Sequence, residues 1–143
     1  MEQNVDYNDS TMKPNITILN VDDFDAARYA KTRVLQNAGF TVLEARNGAE
    51  ALEMTERLKP GLVLLDVRLP DIDGRDVCRR IRANASLGAI PVVQTSAAFI
   101  SPEDQASGID SGATAYLAAP FQPHELIQAI HVSLGVPPQA PAP

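Results

Sequence analysis

Three aspartates in this sequence have types and positions that could support metal-assisted chemistry. Asp22 and Asp23 follow the apolar run ITILNV (16–21), and Asp66 lies near the end of the run GLVLLDV (61–67). Two carboxylates about 4 Å apart repel by roughly 4 kcal/mol at an effective dielectric constant near 20. A hard cation such as Mg²⁺ is the simplest offset, because Arg68 is the one basic residue that these runs place nearby. The alternative is that one aspartate caps a helix while another faces solvent.

Five short β-rich runs alternate with five helical patterns along the chain, and these elements must position the aspartates. The runs are 16–21, 41–45, 61–67, 91–96 and 113–118. Such alternation predicts right-handed βαβ units and an α/β fold with a parallel sheet covered on both faces. In these sheets ligands bind beyond the carboxyl ends of the strands, which is where all three aspartates, Ser96 and the segment YLAAPF (116–121) fall.

The spacing of apolar residues predicts which helix faces are buried. The first helix is expected to bury Ala27, Ala30, Val34 and Ala38, and the fourth is expected to begin at Ser101 and Pro102. The faces predicted for the second, third and fifth helices are Ala51/Leu52/Thr55/Leu58, Val77/Cys78/Ile81 and Leu126/Ile127/Ile130/Leu134.

Composition narrows the class of protein. The 143 residues favour one domain at 15–134, with a flexible extension at 1–14 and a Pro- and Ala-rich disordered tail or linker at 135–143. The net charge of −6 argues against a nucleic-acid partner, and no apolar run is long enough for a membrane span. A single cysteine, Cys78, is expected to be buried, which is consistent with a cytoplasmic location.

Other phosphate-binding folds do not match. The chain lacks a GxGxxG turn after a strand and a GxxxxGK[ST] loop, so dinucleotide-binding and P-loop folds are excluded. The segment DVR (66–68) lacks the Asp-x-Asp pair of haloacid-dehalogenase-type phosphatases. DIDG (71–74) lacks the further ligands of an EF-hand loop.

The motifs NVDD (20–23), LVLLDVRLPDIDG (62–74), IPVVQTSA (90–97) and AYLAAPF (115–121) resemble those of response-regulator receiver domains of two-component signalling. The resemblance covers residues 15–134 and implies a flavodoxin-like (βα)5 fold with strand order 2-1-3-4-5. It also implies that a histidine kinase or a phosphotransfer protein donates a phosphoryl group to the chain.

The resemblance assigns roles by position. Asp66 is the implied phosphoacceptor, and Asp22, Asp23, Asp66 and the backbone carbonyl of Arg68 are the implied Mg²⁺ ligands. Ser96 is the implied hydroxyl that bonds the phosphoryl group, and Tyr116 is the implied switch aromatic. Such a domain catalyses its own phosphorylation and dephosphorylation and is not a turnover enzyme.

The sequence departs from the family at Ala119, where receivers carry a lysine before Pro-Phe. Loss of a charge-assisted hydrogen bond, worth about 1.5–3 kcal/mol, should weaken the phosphorylated state. Without that lysine, we expect an unusually strict dependence on Mg²⁺. The departure also motivates an alternative, a phosphate-independent pseudo-receiver that acts as an interaction module. A small Mg²⁺-dependent phosphatase is a weaker third interpretation, because no second catalytic acid is evident.

The sequence leaves the output open. No output domain follows residue 134, so effects would pass through protein–protein contacts if the chain is complete, whereas PPQAPAP (137–143) could lead into a further region if it is not. By family analogy, the fourth helix, fifth strand and fifth helix form the surface for partners and for a homodimer.

Overall fold

A computed structural model describes residues 15–96, 102–103, 106 and 110–135 of the chain. Its elements are β1 (Thr17–Val21), α1 (Asp25–Asn37), β2 (Thr41–Ala45), α2 (Gly48–Leu58), β3 (Leu62–Asp66), α3 (Gly74–Ala83), β4 (Val92–Ser96), β5 (Ala115–Ala118) and α4 (Pro123–Ser133). The five strands form one parallel sheet in the order β2-β1-β3-β4-β5. The predicted doubly wound α/β fold and its strand order are confirmed.

The sheet is buried on both faces, as a parallel sheet must be. Every residue of β3 and β4 is buried. One apolar cluster packs α2 and α3 against one face through residues such as Ala51, Val77 and Ile81. A second cluster packs α1 and α4 against the other through Leu35, Leu126 and Ile130.

The buried face of α1 differs from the prediction. Ala30 and Ala38 are exposed, and the helix instead buries Arg28, Lys31, Thr32 and Leu35. The reason is a polar contact with the sheet: Nδ2 of Asn20, fully buried in β1, donates to Arg28 O at 2.9 Å and to Thr32 Oγ1 at 3.0 Å. The spacing of apolar residues cannot predict the buried face of a helix whose orientation is set by such hydrogen bonds.

The other predicted faces agree better with the structure. Val77, Cys78 and Ile81 are all buried in α3, and Leu126 and Ile130 are buried in α4. In α2 the prediction fails at one position, because Leu58 at the end of the helix is 42% exposed.

Several expectations fall on parts of the chain that are not described. Residues 1–14 and 136–143 lie outside the described residues, so the flexible extension and the tail remain predictions. Positions 102–103, 106 and 110 are helical, in agreement with a helix between β4 and β5, but Ser101 and much of that segment are not described. Within the described ranges, no helix has the length and apolar character needed to cross a bilayer.

Candidate functional site

The three predicted aspartates meet at the carboxyl ends of β1 and β3. Val21 pairs with Leu65 in the sheet, so the next residues along the two chains, Asp22 and Asp66, lie side by side. One carboxylate oxygen from each of Asp22, Asp23 and Asp66 lies within 4.8 Å of the others. The sequence expectation that these residues converge therefore holds.

Asp66 is a buried carboxylate with few hydrogen bonds and a raised pKa. It is 5% exposed, and its Oδ1 accepts a long hydrogen bond of 3.3 Å from the backbone N–H of Arg68. Burial and then the charge of Asp22 raise its pKa from 3.8 to about 6. Among the described residues, no hydrogen bond reaches its second oxygen, which leaves that atom available to a cation or a phosphorus centre.

The cluster contains a cation that sequence reasoning missed. Asp22 is buried, and its Oδ2 forms an ion pair of 2.9 Å with Nζ of Lys31 in α1, while Oδ1 accepts from the backbone N–H of Phe24 at 3.0 Å. The sequence offered Arg68 as the one basic residue in or beside the two strand runs, and it did not indicate Lys31, which reaches the cluster because α1 turns its polar face toward the sheet. The available signal was the spacing of Arg28 and Lys31, which places two cations on one helix face after an acidic pair.

The loop after Asp66 is held against the site by backbone contacts. A Cβ on Gly74 would lie 2.4 Å from the carbonyl oxygen of Asp66, so only glycine permits this approach, and Gly74 N–H donates to Val67 O at 2.8 Å. Asp71 reaches from the same loop to α2 and accepts hydrogen bonds from the N–H groups of Gly48 (2.7 Å) and Ala49 (2.9 Å).

Ser96 lines two cavities, one of which it shares with Asp66. Because Asp66 pairs with Thr95, Ser96 stands one residue further toward the carboxyl edge of the sheet. One cavity, of about 390 Å³, is shared with half-buried Tyr116 and with Val67, Arg68, Leu69, Asp73 and Arg75. Ser96 and Tyr116 thus line the same cavity, whereas in the sheet Ser96 pairs with Ala118 and Tyr116 pairs with Gln94. The switch role of the two residues stays a prediction.

The second cavity, of about 300 Å³, contains the departure from the family. It is lined by Asp22, Ala27, Ala30, Lys31, Asp66, Thr95, Ser96, Ala119, Pro120 and Phe121. Ala119 is joined to the end of β4 by a hydrogen bond of 2.9 Å from its N–H to Ser96 O, and its peptide bond to Pro120 is cis. Its methyl group stands where a lysine would enter the space beside Asp66.

The donor set suits Mg²⁺. All three side chains offer carboxylate oxygens, the type of ligand that this ion prefers, and Asp23 is exposed so that an ion can enter from solvent. Arg68 has its backbone at the same edge, while its side chain is exposed on the Tyr116 side of the site. Lys31 is a competitor for one of these donors, since its ammonium group already neutralises Asp22.

The family model for the response regulator receiver domain matches residues 18–131. The chain belongs to this family. The receiver domain is also 38% identical over 117 residues to the response regulator MprA of Mycobacterium leprae, which covers 82% of this chain and 50% of that protein. It is 37% identical over 124 residues to the DNA-binding response regulator MtrA of Mycolicibacterium smegmatis, with 87% and 52% covered.

Solved structures show the same fold. A protein of Chloroflexus aurantiacus described as a response regulator shares 34% identity with a TM-score of 0.82, over 85% of this chain and 99% of that one. The chemotaxis protein CheY4 of Vibrio cholerae shares 28% identity with a TM-score of 0.78, over 84% and 99%. The receiver domain spans about half the length of the curated relatives it matches.

The comparisons correct one expectation from composition. We excluded a nucleic-acid partner because the net charge is −6, yet a relative at 37% identity is a DNA-binding response regulator. The exclusion was wrong, since the net charge of a domain that matches half of such a protein does not report what the whole protein binds.

Proposed function

We propose that this receiver domain accepts a phosphoryl group from the phosphohistidine of a sensor kinase or phosphotransfer protein onto Asp66, and thereby acts as a two-component response regulator. The observation that supports this most is the buried Asp66 carboxylate, with one oxygen unbonded among the described residues, beside Asp22, Asp23 and Ser96. The domain would catalyse its own phosphorylation and dephosphorylation without turnover of an external substrate.

The proposed step uses Asp66 as the nucleophile. A carboxylate oxygen of Asp66 bonds to phosphorus as the P–N bond of phosphohistidine breaks, and the imidazole nitrogen keeps the electron pair and takes up a proton. Ser96, which lines both cavities, donates a hydrogen bond from its hydroxyl group to a phosphoryl oxygen. Bound to Asp22, Asp23, Asp66 and the Arg68 carbonyl, Mg²⁺ would supply positive charge that offsets the repulsion between the carboxylate and the phosphoryl group.

Intact-mass measurement after incubation with acetyl phosphate and Mg²⁺ tests the proposal. We expect the mass of one added phosphoryl group in the wild-type chain and none in Asp66→Asn. Asp76→Asn is the matched control, because Asp76 is an exposed carboxylate paired with Arg79 in α3 and should leave phosphorylation intact. Absence of modification in the wild type, or an equal yield in Asp66→Asn, would overturn the assignment of Asp66.

Ala119 favours a second candidate, a phosphate-independent interaction module that retains the receiver fold. For this candidate, Asp66→Asn should leave partner binding and signalling unchanged. A clear loss of either in Asp66→Asn would exclude it. The partner surface predicted for the fourth helix, the fifth strand (β5) and the fifth helix (α4), including a homodimer through that face, remains a prediction. Nucleic acid stays among the possible targets of the whole protein, because its relative MtrA is a DNA-binding response regulator.

A further inference from the structure

The positive charge that receivers place beside the phosphoacceptor is absent from its usual position here. Ala119 leaves a cavity of about 300 Å³ next to Asp66 and Ser96, with room for the side chain that it lacks. A phosphoryl group on Asp66 would replace the single charge of the carboxylate with up to two negative charges on the phosphoryl oxygens in this partly buried space. A charge-assisted hydrogen bond is the usual way to accommodate such charge.

Lys31 lines the same cavity as Ala119 but belongs to a different element of the fold. It comes from α1 rather than from the loop after β5, and it is 8% exposed. Among the described residues, Asp22 is its one ion-pair partner, through a contact of 2.9 Å. An ammonium group has three N–H donors, so this contact leaves donors for a second acceptor in the cavity.

The other cations near the site are not placed for this task. Arg28 already donates to Asp22 O, Asp25 Oδ1 and Glu44 Oε1 at 2.7–3.2 Å. Arg68 is exposed and lines the cavity on the Tyr116 side of Ser96, away from Ala119.

The orientation of Lys31 is built into the fold. The hydrogen bonds from Asn20 to Arg28 and Thr32 hold the neighbouring turn of α1 against β1, and Thr32 Oγ1 donates to Glu44 Oε2 at 2.5 Å. A buried lysine is costly unless it is paired, and in this rotation of α1 the fold holds Lys31 inside the cavity with Asp22 as its partner.

We propose that Lys31 replaces the lysine missing at position 119 and pairs with a phosphoryl oxygen on Asp66, reaching it from α1 through the cavity that Ala119 leaves open. This inference rests on the proposed phosphorylation of Asp66. In the unphosphorylated domain the ammonium group neutralises Asp22, and in the phosphorylated domain it is shared between Asp22 and the phosphoryl group. The site thus keeps one ammonium group beside the phosphoryl group, but that group comes from α1 instead of the loop after β5.

A mutational cycle between positions 31 and 119 tests this, with phosphorylation by acetyl phosphate followed by intact mass. We expect Lys31→Met to lower the phosphorylated fraction at a given donor concentration by about ten- to a hundred-fold, the effect of one charge-assisted hydrogen bond. Adding Ala119→Lys to Lys31→Met should restore most of the loss, whereas Ala119→Lys in the wild type should change little. Arg33→Met is the matched control, because it removes one positive charge from the exposed face of the same helix.

Mg²⁺ binding by calorimetry gives a second readout with the opposite sign. Removing the ammonium group from Asp22 should lower the Mg²⁺ dissociation constant of Lys31→Met, although its phosphorylation falls. A structural defect would weaken both properties together, and such a joint loss without rescue by Ala119→Lys would overturn the inference.

Two further outcomes would also overturn it: unchanged phosphorylation in Lys31→Met, or a gain of ten-fold or more from Ala119→Lys in the wild type. The second does not depend on the folding of Lys31→Met. Failure of the proposed function itself looks different, because then neither the wild type nor Ala119→Lys would be modified at any Mg²⁺ concentration.

Discussion

The fold disfavours the ionised form of Asp66, so its charge at neutral pH costs folding free energy. It is buried beside Asp22, and its pKa in the folded state is about 6, compared with an ordinary 3.8. The protonated form is therefore favoured in the folded domain over a pH range in which the unfolded chain has already lost the proton. This is the expected state of a residue placed for charge-changing chemistry rather than for stability.

The stability of the metal-free domain should therefore depend on pH through Asp66. The folded state binds more protons than the unfolded chain between about pH 4 and 6, so its free energy of unfolding should fall as pH rises through this range. Asp66→Asn removes the charge and should be more stable than the wild type by up to about 3 kcal/mol above pH 7, with the difference vanishing below pH 4. Urea unfolding of both proteins in chelator from pH 4 to 8 measures this, and a difference independent of pH would contradict it.

At the scale of elements, the loop between β3 and α3 shapes the site through close backbone contacts. Gly74 begins α3 where its own hydrogen atom faces the Asp66 carbonyl, and Asp71 binds the first N–H groups of α2. The segment LPDIDG (69–74) is thus a structural clamp between β3, α2 and α3 as well as a family motif.

Gly74→Ala should displace this loop. Its Cβ would lie 2.4 Å from Asp66 O and 2.8 Å from Val67 Cα, and relief of that overlap must move the backbone that holds the Asp66 carboxylate. We expect a loss of about 1–3 kcal/mol in the free energy of unfolding and weaker Mg²⁺ binding. Gly88→Ala, whose Cβ would be no closer than 3.2 Å to other atoms, is the control, and equal behaviour of the two variants would argue against the clamp.

Asp71→Ala should weaken α2 without touching the carboxylate cluster. The hydrogen bonds to Gly48 and Ala49 hold the pKa of Asp71 below its ordinary value, so their stabilising effect is present at neutral pH and is lost as pH falls through that lowered pKa. We expect a loss of about 1 kcal/mol at pH 7, typical of a helix N-terminal cap. Denaturant unfolding at a series of decreasing pH values from pH 7 should show a difference from the wild type that is largest at pH 7 and shrinks as Asp71 becomes protonated.

At the scale of the whole molecule, the domain combines a rigid core with a charged edge. The central strands and both apolar clusters are buried, and the unbalanced negative charge is collected where β1 and β3 end. Binding of a cation there should therefore stabilise the entire domain, because the ligands come from strands in its centre.

Mg²⁺ should raise the melting temperature of the wild type, with a gain of about 2.7 kcal/mol when its concentration is a hundred times the dissociation constant. Asp23→Asn should remove most of this gain, since Asp23 is the exposed member of the cluster and its loss does not disturb the core. Asp25→Asn, an equal change of charge two residues away, is the control. Thermal unfolding with and without chelator distinguishes them, and equal Mg²⁺ effects in both variants would exclude Asp23 as a ligand.

The sequence by itself determined the fold and the location of the site. Alternating β-rich runs and helical patterns are local signals, and the aspartates directly after two of the runs had to meet once those runs became neighbouring parallel strands. Two further features could be read from the sequence alone. Gly74 in DIDG matches its position in the family motif, and Ala119 differs from the lysine that the family carries at its position.

Only the tertiary structure decided the role of α1. Apolar periodicity assigned Ala30 and Ala38 to the core, whereas the hydrogen bonds of Asn20 with Arg28 and Thr32 turned the polar face of the helix inward. Those bonds join a strand residue to helix residues 8 and 12 positions later, and apolar periodicity does not encode polar contacts of this kind. They place Lys31 against Asp22 in the space beside Ala119, and the physical reason is that a buried charge is stable only where the fold supplies its partner.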